Sequence, residues 1–165
     1  MTTTDYLLAK HRGGDVLVDS NLLLLFFVGQ FQRDLIAKFK RLNTFAPKDY
    51  DTLAIVLRRF GKIVTTPNIV TEVSNLSGAL QDRTRAAYYT SFALSLTVLD
   101  EKYVQSKEAT NTPGFRALGI TDSGISLIAR QRLLVLTDDF TLHQYMSGNG
   151  IDALNFNHVR SWRSS

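Results

Sequence analysis

The sequence contains no cysteine among its 165 residues, and only three histidines and three prolines. Without cysteine there are no disulfides, no thiolate metal sites and no cysteine nucleophile. The histidines, His11, His143 and His158, lack metal-ligand spacing, so zinc has little to draw on. No Gly-rich phosphate loop is present, and no Ser-His-Asp arrangement stands out. Long hydrophobic runs are also missing. The strongest, residues 22–28, falls far short of the roughly 20 residues that span a bilayer and reads as a buried helix. Residues 1–14 carry no cationic start, apolar centre and small-residue cleavage site, so no signal peptide is expected. The expectation is a soluble, cytoplasmic protein with no membrane partner.

What is present fits one globular domain over residues 1–165, since domains commonly run about 100 to 200 residues. Apolar residues make up 44% of the chain, enough for one sizeable core. The net charge is +4 and the pI about 9.5, a modest basic bias. Four acids gathered in one pocket would leave 19 cations against 11 other acids, so the rest of the surface would carry +8. Such a surface suits a polyanion held over bound cations.

Strand-like and helix-like segments alternate along the chain. Residues 16–18, 62–65, 97–99, 133–136 and about 151–156 read as strands. Ser20 or Asn21 is the expected cap of a helix running through Gly29, and the apolar positions Phe31, Leu35, Ile36 and Phe39 predict another over 31–42. Pro47 and Gly61 frame a third, with Leu53 and Leu57 at helical spacing. Thr66 is the expected N-cap of a helix with Pro67 in its first turn and Glu72 on its inward face, beside Ile69 and Leu76. Residues 81–96 predict a long helix. A loop through Asn111, Pro113 and Gly114 then leads to Thr121 as N-cap of a helix to Gln131. Another helix ends near Gly148, and a short tail closes the chain. The alternation predicts a three-layer α/β/α sandwich with a mostly parallel sheet and an extra helical segment at about 31–60.

In such sheets ligands bind beyond the carboxyl ends of the strands. Asp19 follows the first strand, and Asp138 and Asp139 follow the run Leu133-Leu134-Val135-Leu136-Thr137. Each acid alone has a structural reading. Asp19, Asp138 or Asp139 can cap the next helix, Asp122 can offset a helix dipole, and Glu72 can pair with an arginine. As a set, carboxylates at strand ends and helix starts suit the oxygen-preferring Mg²⁺ or Mn²⁺. Two such ions about 4 Å apart activate water and stabilise the leaving oxygen of a phosphodiester.

The stretches Val16-Leu17-Val18-Asp19-Ser20-Asn21-Leu22-Leu23, Thr66-Pro67 with Glu72-Val73, Thr121-Asp122-Ser123 and Thr137-Asp138-Asp139-Phe140 together resemble PIN-domain nucleases, including the VapC-like toxin ribonucleases. The resemblance spans residues 15–156. It implies a PIN-like fold, a Mg²⁺- or Mn²⁺-dependent ribonuclease leaving 5′-phosphates, and Asp19, Glu72 and Asp122 as the first three acids. Either Asp138 or Asp139 is the fourth, and Asn21 and Thr137 match supporting polar positions. It further implies an RNA substrate, a cytoplasmic site of action, and, as in compact toxin relatives, homodimers held by an antitoxin protein. Those relatives lack the extra segment at 31–60. A non-catalytic PIN-like module that binds RNA or protein is the alternative. An aspartyl-nucleophile phosphatase is disfavoured, because Asn21 stands where its second acid belongs.

Outside the acids, Lys38, Lys40 and Arg41 form one basic cluster and Arg58-Arg59 another, read as solvated helix faces or contacts to an RNA backbone. Arg83, Arg85, Tyr88 and Tyr89 combine charge with rings suited either to base stacking or to a core. His143 lies one turn beyond the fourth acid. Trp162, between Arg160 and Arg163, is a candidate anchor for the C-terminus.

Overall fold

The computed structural model describes residues 1–162; Arg163 and the Trp162 side chain lie outside that description. The chain folds as a three-layer α/β/α sandwich around five parallel strands: β1 (Asp15–Val18), β2 (Lys62–Thr65), β3 (Asp100–Glu101), β4 (Leu134–Thr137) and β5 (Ala153–Asn155). Their order across the sheet is β3-β2-β1-β4-β5. All four pairings are parallel, and Val18 sits opposite Leu136 in the central one. Val16, Leu17, Val18 and every residue of β4 are buried, as expected of strands covered on both faces.

Helix α1 (Thr3–Lys10) precedes β1 and has no counterpart among the expected elements. It starts on a capping box, in which the Thr2 hydroxyl accepts from the Asp5 amide (3.1 Å) and the Asp5 carboxylate accepts from the Thr2 amide (3.0 Å). After β1 comes α2 (Ser20–Phe31), which is apolar all round and buried from Leu22 to Leu25 and again at Phe27 and Val28. Such a helix is stable only inside a protein. It packs against α3 (Pro47–Leu57), α4 (Pro67–Ser77) and α5 (Asp82–Leu96). Gly29 does not end α2. It gives room for Tyr50 of α3, because a Cβ there would stand 2.2 Å from the Tyr50 ring.

The helix expected over 31–42 does not form. Gln32 is extended (φ −158°), and two short 3₁₀ turns follow at Arg33–Leu35 and Lys40–Leu42. Ile36, Phe39, Leu42 and Phe45 are all buried at intervals of three, the period of a 3₁₀ path rather than an α-helix. The expected strand at 97–99 is instead a turn closing α5, and only Asp100 and Glu101 reach β2, opposite Val64 and Thr65.

The expected loop before Asp122 contains α6 (Ser106–Thr110) and the start of α7 (Phe115–Ala129). Helix α7 breaks at Gly119, whose φ of 78° and ψ of −176° belong to a region essentially reserved for glycine. Helix α8 (Phe140–Gly148) follows β4, and the expected tail is α9 (Phe156–Trp162). Phe156 and Val159 bury α9 against the body, and Arg160 reaches the buried Asp49 of α3 at 3.0 Å. Tyr88 is in the core, edge-on to Phe31 with ring centroids 5.8 Å apart, so it offers no stacking surface.

Candidate active site

From β1 the chain crosses to β2 on one side, while β4 lies on the other. The order of strands therefore reverses between β1 and β4, and the crevice at such a reversal is where open α/β sheets bind ligands. Asp19 leaves β1 and Asp138-Asp139 leave β4 at this crevice, and the Asp19 amide donates to the Leu136 carbonyl (3.1 Å). Glu72 projects from α4 and Asp122 from α7 just past its break. Asp19, Glu72, Asp122 and Asp139 line one cavity of about 290 Å³, with Ser20, Asn21 and Thr121 in its wall. Asp138 does not line it but lies beside Asp19, close enough to act on its charge.

The acids differ in what holds them. Asp19 is buried (7% exposed) and caps α2 itself, accepting from the Leu22 amide at 3.3 Å, so neither Ser20 nor Asn21 is the cap. Its other oxygen accepts from the Thr137 hydroxyl, which in turn accepts from the Asp139 amide at 2.9 Å. Thr137 thereby ties the first acid to the loop bearing the last two. Asp139 caps α8 through the Leu142 amide (2.9 Å) while still facing the cavity.

Glu72 departs from its expected inward position. It is exposed, has no arginine partner among the described residues, and accepts from the hydroxyls of Ser20 and Thr121, the latter at 2.9 Å. Thr121 is therefore a bridge from α7 to α4 rather than the expected N-cap. Ser20 and Thr121 were legible only as possible caps. Each directly precedes or follows an acid at a helix start, but a hydroxyl in that position does not disclose its partner.

Burial and crowding of like charges disfavour ionisation here. Burial holds the Asp19 carboxyl well above its usual range, with the neighbouring Asp138 adding to the effect. Burial also lifts Asp122, to about 6, helped by Asp139 and Glu72. Asp138 is raised by burial too, partly countered by the Asn21 side chain. One oxygen of Asp138, Oδ1, is buried without a hydrogen-bond partner among the described residues.

These features fit a divalent cation. The donors are hard oxygens, the buried Asp138 Oδ1 is unspent, and like charges crowd the site, with Arg160 only partly offsetting the charge of Asp138. Asp19, Asp122 and Asp139, with Glu72 and Asp138, are the residues that would hold Mg²⁺ or Mn²⁺. As placed, no three acid or imidazole side chains among the described residues stand close enough to hold an ion. His143 is not in the cavity wall; its ring lies edge-on to His158, centroids 5.9 Å apart, and burial lowers its pKa.

Comparison with protein-family models and with curated proteins finds no match.

Proposed function

We propose that the protein is a metal-dependent endoribonuclease of the PIN-domain type, hydrolysing phosphodiester bonds of single-stranded or structured RNA in the cytoplasm. The observation that carries this reading is the gathering of Asp19, Glu72, Asp122 and Asp139 around one crevice where the strand order reverses. Bound Mg²⁺ or Mn²⁺ would activate water and offset the charge developing at the phosphodiester. The side chains would do the rest. Asp19, fixed by Leu22 and Thr137, gives the site a rigid floor. Glu72, held by Ser20 and Thr121, stands in the cavity wall. The basic remainder of the surface attracts the polyanion. A toxin role, with homodimers neutralised by an antitoxin, belongs to the same proposal. No described helix is long and apolar enough to cross a membrane.

The test is cleavage of a single-stranded RNA in Mn²⁺, in EDTA, and by Asp19→Asn. Cleavage in Mn²⁺ should disappear in EDTA and fall at least about 100-fold in the variant. Cleavage persisting unchanged in either condition refutes the proposal. Two observations favour the alternative of a non-catalytic PIN-like module binding RNA or protein: the Glu72 oxygens are occupied by hydroxyls, and among the described residues no three acids are at ion-holding distance. RNA binding without calorimetric Mn²⁺ binding would select it.

A further inference from the structure

A second cavity, about 890 Å³, opens at the other end of α2 from the acids. Asp19 precedes the first residue of α2, whereas Gln32, in the wall of this cavity, follows the last. The 12 residues of α2 put roughly 18 Å between them. Residues 32–43 supply most of its wall, running through the two short 3₁₀ turns and an extended Phe39 instead of continuing as a helix. That path leaves a concave surface facing the connection from α4 to α5.

Its chemistry is one-sided. Lys38, Lys40 and Arg41 line it, and no carboxylate does. All three are exposed, and none of their side chains has an ion pair or hydrogen bond among the described residues. The acids nearest in sequence stay outside the wall: Asp34 is exposed, and Asp82 is paired with Arg85 at 2.7 Å. The start of α5 adds to the same field. Gln81 and Thr84 belong to the wall, and the N-cap Gln81 makes no side-chain capping bond, which leaves backbone donors of the first turn unmatched by a side chain. The cations alone would make this an anion site, and the helix start reinforces them.

The other lining groups narrow the ligand. The amides of Gln32, Asn43 and Gln81 offer paired donors and acceptors suited to a polar ring and a sugar, while the buried Phe39 and Leu80 form an apolar floor. The inner phosphate of a diphosphate ester carries −1 and the terminal one about −1.5 to −2 near neutral pH, so together, at about −2.5 to −3, they come nearest to balancing three cations. A cavity of this size falls in the range of about 300–1,000 Å³ that suits a small ligand. A single RNA strand fits less well. Strand-binding grooves stack bases on exposed rings, and the one ring here is buried in the floor.

We propose that this cavity binds a nucleoside diphosphate, with Lys38, Lys40 and Arg41 on the phosphates and the amides of Gln32, Asn43 and Gln81 on the nucleoside. The site is separate from the acidic crevice and does not depend on the nuclease reading. The probe is ADP, titrated by calorimetry in EDTA so that divalent ions bridge neither the nucleotide nor the acids. Binding is expected with one site per chain, at a dissociation constant on the order of 10–100 μM. It should weaken at least about tenfold in the combined variant Lys38→Gln, Lys40→Gln, Arg41→Gln. The single variant Lys40→Gln should weaken it less, and Asp19→Asn should leave it unchanged. All three cations are exposed, so their replacement leaves the core intact; a circular-dichroism spectrum matching the parent's checks this. Absence of ADP binding up to about 1 mM overturns the proposal, as does affinity unchanged in the combined variant. An RNA oligonucleotide whose binding depends on the three cations, with no binding of ADP, also overturns it and reassigns the cavity to a strand.

Discussion

Replacing Asp122 with asparagine should make the metal-free protein more stable, which is the opposite of the usual effect of altering a half-buried polar residue. Asp122 shares its cavity with Asp139 and Glu72, and burial together with those two charges lifts its carboxyl from 3.8 to about 6. A rise of that size corresponds to roughly 3 kcal/mol of penalty on the charged form at neutral pH. Solvent screening of a partly exposed group, and loss of the favourable helix-start charge, reduce the expected gain to about 1–2 kcal/mol. For a chain of this length that is a melting temperature higher by roughly 2–6 °C. The sign also sets a pH profile. Because the folded-state pKa lies above the unfolded one, the penalty is full above about 6, is relieved as pH falls towards 3.8, and is gone below it. Thermal melts in EDTA should therefore show the parent gaining about 0.5 kcal/mol between pH 7.5 and 5.5 relative to Asp122→Asn, and more below pH 5. With millimolar Mn²⁺ the order should reverse, because the parent binds the ion and gains from mass action while the variant loses a ligand. A variant less stable than the parent in EDTA at pH 7.5, or one with the same pH profile, refutes the account of charge crowding.

Two further perturbations test the framework around the site. Gly29→Ala would place a Cβ 2.2 Å from the Tyr50 ring, which is itself packed against Phe26 with centroids 6.2 Å apart, and should cost about 1–3 kcal/mol in urea denaturation. An unchanged midpoint would mean that α2 and α3 are not in this close contact. Arg160→Ala leaves Asp49 (2% exposed) without its cation and should cost about 2–3 kcal/mol, with Asp49→Asn in the same background recovering part of the loss. Equal destabilisation with and without the second change would refute the buried pair.

Local rules were sufficient where a segment's own residues satisfy it. Lys62–Thr65 is the expected strand residue for residue, and Thr66 caps α4 through the Ile69 amide as its position before Pro67 requires. The apolar run in α2 was legible as a buried helix because no exposed face could tolerate it. Expectations failed where a partner distant in sequence decides. Gly29 looks like a helix end until Tyr50 is seen to occupy the space. The segment at 31–42 has apolar residues compatible with either period, and the packing of Ile36, Phe39 and Leu42 selects the 3₁₀ path. Glu72 has the spacing of an inward residue yet faces the crevice, where Ser20 and Thr121 hold it.

The four stretches carrying Asp19, Glu72, Asp122 and Asp138-Asp139 are visible in the sequence because strand ends and helix starts leave local signatures. Sequence by itself therefore determined the α/β/α class and the parallel sheet, and it singled out the acids, four of which the structure places around one cavity. Tertiary structure alone decided their grouping. The reversal of strand order between β1 and β4 brings the ends of the chain's first and fourth strands side by side, and the break of α7 at Gly119 stands in the wall of the same cavity, just ahead of Asp122. It also distinguished Asp138 from Asp139, adjacent in sequence, by giving one a place beside Asp19 and the other a place in the cavity wall. The physical reason is that hydrogen-bond patterns and apolar periods act over a few residues, whereas the field at a carboxylate is set by charges and burial contributed from elements tens of residues away.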